Sequence, residues 1–196
     1  QADLKPIVWK VPQVVPWLAR EEAEAAAKAV LDNWITEGPR CQEFSERLNV
    51  LIGVPYGVFA PNGTLALALG LMALNIAPGD EVLVPDITFI GSANAVLMVG
   101  ATPIFVDVNR SNYQIDIARA KKLVTPQTRA IMPVHLFGMS CDMDAVMAFA
   151  RRHNLLVIED AAQGIGVTYR GRHVGAIGDV GCFSFFADKT ITTGEG

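Results

Sequence analysis

The chain has 196 residues, of which 51% are apolar and 18% charged, enough apolar material for one substantial core and for one domain or most of a larger one. A formal charge of −4 with no block of like charges gives no basic footprint for nucleic acid, and the longest apolar stretch, 65–77, is interrupted by Gly70 and Asn75 and falls short of the roughly 20 residues that cross a bilayer. Cys41, Cys141 and Cys182 form no Cys-x-x-Cys pair, which argues against a disulfide framework or a structural zinc site and points to a reducing cytoplasm.

The first residues, Gln1-Ala2-Asp3-Leu4-Lys5-Pro6, lack a basic region leading into an apolar one, so no secretory signal is expected. An Ala- and Glu-rich helix is predicted over 21–34, then a break at Gly38-Pro39, then a second helix over 42–51. Residues 1–55 are therefore expected to form a helical segment packed on the domain that follows or on a partner chain. From Tyr56 onward short apolar runs alternate with helical stretches. Strands are predicted over 57–60, 81–84, 102–106, 130–134, 155–159 and 181–185, and helices over 64–75, 92–99, 116–123 and 142–153. Turn residues at Pro78-Gly79-Asp80, Gly100, Pro126 and Gly138 fall between them. The pattern predicts an α/β domain over 56–196 with a mainly parallel sheet covered by helices on both faces. Ligands of such a sheet bind beyond the carboxyl ends of the strands, and three motifs converge there.

Asn62-Gly63-Thr64 joins a predicted strand to a helix, where free backbone N–H groups and the helix dipole favour an anion. Gly63 allows close approach and Thr64 adds a hydroxyl. No Gly-Lys-Ser/Thr follows, so a single phosphate suits the junction better than a triphosphate, while an ordinary capped turn is the bland alternative. Asp160 follows the apolar run Leu155-Leu156-Val157-Ile158-Glu159. Neighbouring strand residues face opposite ways, so Glu159 and Asp160 are not expected to work as a paired acid and base. A buried carboxylate needs a cationic or donor partner; a protonated pyridine nitrogen is one, and a structural cap is the alternative. Lys189, beyond the strand that carries Ser184, could condense with an aldehyde and then shuttle a proton, although most lone lysines are solvated surface charges. Other chemistries find no support: Gly164-Ile165-Gly166 lacks the third glycine of a dinucleotide fingerprint, His135, His153 and His173 have no metal-ligand spacing, and no Gly-x-Ser-x-Gly occurs.

With Asn62-Gly63-Thr64, Val134-His135-Leu136-Phe137-Gly138, Ile158-Glu159-Asp160-Ala161-Ala162-Gln163, Phe183-Ser184-Phe185 and Lys189 through Gly196 in this order and spacing, the chain resembles the DegT/DnrJ/EryC1/StrS family of nucleotide-sugar aminotransferases. The resemblance implies a pyridoxal phosphate enzyme of fold type I, the aspartate aminotransferase-like large domain, with a C-terminal small domain missing from this chain. It implies that Lys189 holds the cofactor as a Schiff base and moves the proton of the amino donor. Asp160 would keep the pyridine nitrogen protonated, Gln163 would face the phenolic oxygen, and Phe89 would stack on the ring. Gly63, Thr64 and Ser184 would hold the phosphate. The implied donor is L-glutamate and the acceptor a nucleoside-diphosphate-linked keto sugar, in a homodimer with shared active sites, for glycan such as lipopolysaccharide O-antigen or for secondary-metabolite sugars. Asn62 stands where many members have Ser. The tail from Asp188 to Gly196 looks most like members that aminate a 4-keto-6-deoxy sugar, perosamine synthases among them. A sugar dehydratase of the same family, some of which have His at the lysine position, and a non-catalytic scaffold are the competing expectations.

Overall fold

The computed structural model describes residues 17–34 and 36–194; the N-terminal residues 1–16, and with them the leader reading, lie outside the described residues, as do Glu195 and Gly196 of the tail motif. Two compact units divide at residue 38. In the first, helix α1 (Arg20–Leu31) begins where the Ala19 N–H donates to Glu22 Oε2 at 2.7 Å, and it carries the i,i+4 pairs Arg20–Glu24 and Lys28–Asp32. None of its residues is buried, and such exposed pairs stabilise a helix by only about 0.3–0.5 kcal/mol each.

The second unit, from Pro39 onward, holds α2 (Pro39–Ile52), α3 (Gly63–Ala73), β1 (Glu81–Pro85), α4 (Gly91–Met98), β2 (Thr102–Val106), α5 (Ile117–Ala120), β3 (Thr128–Ile131), α6 (Met143–His153), β4 (Leu156–Asp160), β5 (Thr168–Tyr169), β6 (Arg172–His173) and β7 (Val180–Cys182). Five strands form one sheet in the order β2-β1-β3-β4-β7, all parallel, so their carboxyl ends share one edge. Alternation along the strands sends side chains to two cores. Val82, Val84 and Ile158 join Leu67 and Leu71 of α3 and Val96 of α4 on one face. Leu83, Ile131 and Val157 join Val146, Phe149 and Ala150 of α6 on the other. Helix α3 is apolar nearly all round and lies against the sheet at Gly70, where a Cβ would come within 2.9 Å of Ile158 Cδ1 and 3.2 Å of Cys182 Sγ.

Five predicted strands and all six predicted helices appear within a few residues of their expected limits, with two shortenings. The helix expected over 116–123 is a single turn, α5, capped by Asp116, whose Oδ1 accepts the Ala118 N–H at 2.8 Å. The strand expected over 181–185 ends at Cys182. The predicted first strand, 57–60, is not a strand. Its composition suits one, but a strand is completed by a ladder partner, and a cavity of about 690 Å³ lies between this segment and β7. The short antiparallel pair β5–β6 was not expected; its two-residue strands are too short to leave a period in the sequence.

The loop before β7 is pressed so hard against the sheet that a Cβ on Gly181 would sit 2.0 Å from the Gly175 carbonyl oxygen, and one on Gly178 would sit 2.7 Å from that of Val157. Backbone cannot yield as a flexible side chain can. Gly181→Ala is accordingly expected to destabilise the protein by about 2–3 kcal/mol, measured as a lower urea midpoint with an unchanged slope.

Candidate active site

The carboxyl edge of the sheet gathers the predicted residues. Asn62 caps α3, its Oδ1 accepting the Leu65 N–H at 3.0 Å, so the N–H groups of Gly63 and Thr64 have no partner within the helix. Ser184, buried two residues beyond β7, faces this helix start: a Cβ on Gly63 would lie 2.9 Å from Ser184 Cβ and 3.3 Å from its Oγ. Thr64 Oγ1 would be 2.6 Å from a Cβ on Gly91, and the Phe89 ring about 3.0 Å from that same point. Ser184 thus lies against the start of α3 at Gly63 and the Thr64 hydroxyl against Gly91, a cradle with no room for a side chain at either glycine. Hydroxyls beside a helix N-terminus are donors suited to one phosphate.

Asp160 ends β4, 5% exposed. Its Oδ1 accepts the Ala162 N–H at 3.1 Å and its Oδ2 accepts the Ser92 hydroxyl at 2.6 Å. Burial pushes its pKa up, and the Ser92 and Ala162 hydrogen bonds and the charge of Lys189 pull it partly back. Lys189 is thus close enough to be felt electrostatically by Asp160. The Lys189 side chain is only 17% exposed, held by Asp188 with Nζ 2.9 Å from Oδ1, and its backbone N–H donates to the Phe186 carbonyl at 3.0 Å in a tight turn. Gln163 Oε1 accepts the Phe137 N–H at 2.6 Å, which commits the oxygen of that amide and leaves its NH₂ as a donor. The backbone that presents this N–H is left-handed at Phe137, φ 56°, and at Gly138, φ 74°, a conformation that favours glycine and is uncommon for Phe. Phe89 is 73% exposed on the loop after β1, free to cover a planar group.

Glu159 and Asp160 face opposite sides, as strand alternation requires. Glu159, fully buried, accepts from the N–H groups of Ile177 and Gly178 through Oε1, at 2.7 and 2.6 Å, and from that of Gly175 through Oε2 at 2.8 Å. His135 Nε2 lies 3.0 Å from Oε2, and His135 Nδ1 accepts the Cys141 N–H at 3.1 Å. With Nδ1 occupied as an acceptor, the ring hydrogen belongs on Nε2 and the imidazole is neutral. His135 is a core residue that ties β3 to β4. The 690 Å³ cavity touches the site at Gly63 and Ser184 but otherwise runs along α2 and residues 56–60. Its walls are mostly apolar, and it does not reach Asp160 or Lys189, so it belongs to the open edge of β7 rather than to the reactive groups.

Sequence reasoning missed Ser92, Thr88 and Asp188. The signal for the first two was available: Thr88 and Ser92 flank the start of the helix after β1, a strand-to-helix junction of the same kind as the one that singled out Thr64. Asp188 was legible only as a motif member, since nothing in the sequence shows that it pairs with Lys189. Among the described residues no group of His, Cys, Asp and Glu could hold a metal ion, and no helix is long and apolar enough to cross a membrane.

These groups fit pyridoxal phosphate part by part. The cradle suits the phosphate, the Asp160 carboxylate a pyridinium nitrogen, the free Gln163 amide a phenolic oxygen, the exposed Phe89 ring the face of the heterocycle and the Lys189 amine an aldehyde. Comparison with known proteins supports pyridoxal phosphate as the cofactor. Over 188 residues the chain is 47% identical to GDP-perosamine synthase of Caulobacter vibrioides, covering 95% of this chain and 51% of that protein. It is 54% identical over 147 residues to a UDP-N-acetyl-3-dehydro-alpha-D-glucosamine 3-aminotransferase of Acidithiobacillus ferrooxidans, covering 74% of this chain and 40% of that protein. The fold superposes on a candidate sugar aminotransferase from Streptococcus pneumoniae in its PLP form with a TM-score of 0.88 at 32% identity, covering 94% of this chain and 51% of that one. The chain spans about half the length of the curated relatives it matches. Residues 17–196 match the model of the DegT/DnrJ/EryC1/StrS aminotransferase family, and the chain belongs to that family.

Proposed function

We propose that this protein is a sugar aminotransferase that moves the amino group of L-glutamate to a nucleoside-diphosphate-linked keto-6-deoxy sugar, with the keto group at position 4. The cofactor is pyridoxal phosphate, which when bound supplies an electrophilic carbon for amines and a ring that draws electron density from the carbon being deprotonated. The observation that carries the reading is that a buried carboxylate, Asp160, which feels the charge of Lys189, and the contact of Ser184 with the start of α3 at Gly63 lie at the carboxyl edge of one parallel sheet. Lys189 Nζ would hold the cofactor's aldehyde and would serve as the base for the alpha-carbon proton of the amino donor. Asp160 would balance a protonated ring nitrogen, Gln163 would donate to the phenolic oxygen, Phe89 would cover one ring face, and Gly63, Thr64 and Ser184 would hold the phosphate. Asp188 holds the Lys189 ammonium in the site.

The nucleotide-sugar class is supported by the relatives above, and position 4 by the tail motif and by the relative matched over 95% of this chain. A 3-keto acceptor is the second reading, favoured by the 54% identity to the 3-aminotransferase. A dehydratase is disfavoured by Lys189, because that chemistry needs no covalent lysine. The division into a helical segment, 1–55, and a cofactor domain, 56–196, is part of the proposal; for α2 it is supported by Phe44, whose ring lies 5.9 Å from that of Phe59 and 5.2 Å from that of Phe185. Assembly as a homodimer with shared active sites, use in glycan or secondary-metabolite sugar synthesis and a cytoplasmic location belong to the same reading. The test is transfer of isotope-labelled nitrogen from glutamate to GDP- and UDP-linked sugars carrying the keto group at position 3 or 4. Label in the 4-amino sugar supports the proposal, label in the 3-amino sugar moves it to the second reading, and no label in either overturns it.

Asp160→Asn separates stability from function. Removing a buried charge whose desolvation its two hydrogen bonds only partly offset is expected to stabilise the cofactor-free protein at neutral pH by on the order of 1 kcal/mol, while cofactor affinity falls at least about tenfold because a pyridinium loses its counter-charge. Thermal melts with and without pyridoxal phosphate show both effects.

A further inference from the structure

Asp160 is gripped by a hydroxyl pair that contributes nothing to the phosphate cradle. Ser92, on the first turn of α4, is 1% exposed and donates to Asp160 Oδ2 at 2.6 Å. Thr88 Oγ1 lies 2.8 Å from Ser92 Oγ. Ser92 has one hydrogen, and an ionised carboxylate can only accept. While Asp160 is charged, that hydrogen is committed to Oδ2 and Thr88 must donate to Ser92. The second carboxylate oxygen is held by the Ala162 N–H, so the carboxylate is restrained at both ends and its rotamer is defined. Protonating Asp160 on Oδ2 would reverse both hydroxyls, which makes the direction of the pair a record of the charge on Asp160. The other ionisable groups around it are His135 beyond β3, Cys141 before α6, Glu159 in β4, Cys182 in β7 and Lys189 beyond β7. None of them is its hydrogen-bond partner among the described contacts.

We propose that Ser92 is a positioning residue for the cofactor's ring nitrogen, holding Asp160 charged and in one rotamer, and that Thr88 acts through Ser92. The inference rests on the cofactor reading above. A Ser in this place is not explained by helix formation, since Ala is the better helix former, nor by solvent, from which it is shut off. Its hydroxyl is accounted for by a carboxylate 68 residues away in the chain, and that carboxylate is a buried group at the sheet edge suited to a cationic heterocycle.

The experiment uses the full-length protein loaded with pyridoxal phosphate isotopically labelled at the ring nitrogen, comparing wild type, Ser92→Ala, Thr88→Ala and the double variant. Cofactor affinity is read by absorbance titration and ring-nitrogen protonation by NMR. Ser92→Ala is expected to weaken binding on the order of tenfold and to move the ring-nitrogen resonance toward the unprotonated position. Thr88→Ala should do the same more weakly, about twofold to fivefold, and the double variant should be no worse than Ser92→Ala alone, because Thr88 has no path to Asp160 without Ser92. Wild-type affinity and resonance in Ser92→Ala would overturn the inference while leaving the cofactor reading intact. Additive losses in the double variant would overturn the role given to Thr88. Should Ser92→Ala not fold, an unchanged resonance in Thr88→Ala would overturn the pair. Absence of cofactor binding in the wild type would overturn the functional reading itself, and the inference with it.

Discussion

Lys189→Ala is expected to abolish covalent capture of the cofactor and to lower amino transfer by about 10²- to 10⁴-fold, the range contributed by a positioned proton-transfer group. The expectation follows from where the amine sits. It is mostly shielded, tethered to Asp188 at 2.9 Å, and close enough to Asp160 to lower that residue's pKa. Among the described residues no other lysine follows a strand of the sheet at its carboxyl edge: Lys28 is on α1 and paired with Asp32, and Lys121 and Lys122 follow α5. Borohydride reduction followed by peptide mass mapping should therefore attach the cofactor to residue 189 in the wild type and nowhere in the variant. The phosphate cradle and Asp160 are untouched by the change, so Lys189→Ala should still bind pyridoxal phosphate reversibly. Attachment at a different lysine, or full amino transfer by the variant, would remove Lys189 from its assigned place.

The second large effect is on stability. Glu159→Leu is expected to destabilise the protein by about 3–5 kcal/mol, as removal of one partner from a buried charged network does. The side chain would leave four donors without an acceptor: the N–H groups of Gly175, Ile177 and Gly178 and the Nε2–H of His135. Glu159→Gln should rescue little, because each carboxylate oxygen serves two donors and the amide NH₂ would face one of those pairs. Burial alone would raise the Glu159 pKa, but the hydrogen bonds from His135, Gly178 and Gly175 outweigh it and leave it below the ordinary carboxyl value. A depressed acid contributes stability that is complete above its unfolded pKa and lost as pH falls through its folded pKa. Denaturation of the wild type should therefore ease on acidification below the ordinary carboxyl range, and the Glu159→Gln variant should show a flatter dependence there. Urea midpoints measured from neutral pH downward check both points.

The loop that Glu159 holds is the one that leads into β7, and β7 leads to Ser184 and Lys189. Stability and site geometry are thus joined through one carboxylate. Asp160, its neighbour, has the opposite character: burial holds its pKa up, and its charge is of use only when a cation is opposite. One strand end carries both, because alternation gives adjacent residues different faces and different environments.

Much of the scaffold was legible because it rests on local signals. Strand and helix periods, turn glycines and prolines, and the helix caps at Asn62 and Asp142 are written within a few residues of one another, and the chemical groups follow at strand ends where an open parallel sheet puts its ligands. Thr64, Asp160, Ser184 and Lys189 could be singled out on that basis, and their order and spacing carried the family. The errors are of another kind. Residues 57–60 have a strand's composition without a strand's partner, and a hydrogen-bonded ladder is not a property of one segment.

Sequence by itself determined the order of elements, the parallel sheet and the groups at its carboxyl edge, because each depends on short-range pattern or on the connection between consecutive elements. Only the tertiary structure decided which hydroxyl grips Asp160, which loop Glu159 holds, that His135 is a neutral core residue, and that the Gln163 amide presents its NH₂. The physical reason is the same in each case: a buried polar group must be satisfied, and its partner is supplied by whatever part of the chain the fold brings within about 3 Å, whether two residues away, as Ala162 is from Asp160, or 68, as Ser92 is.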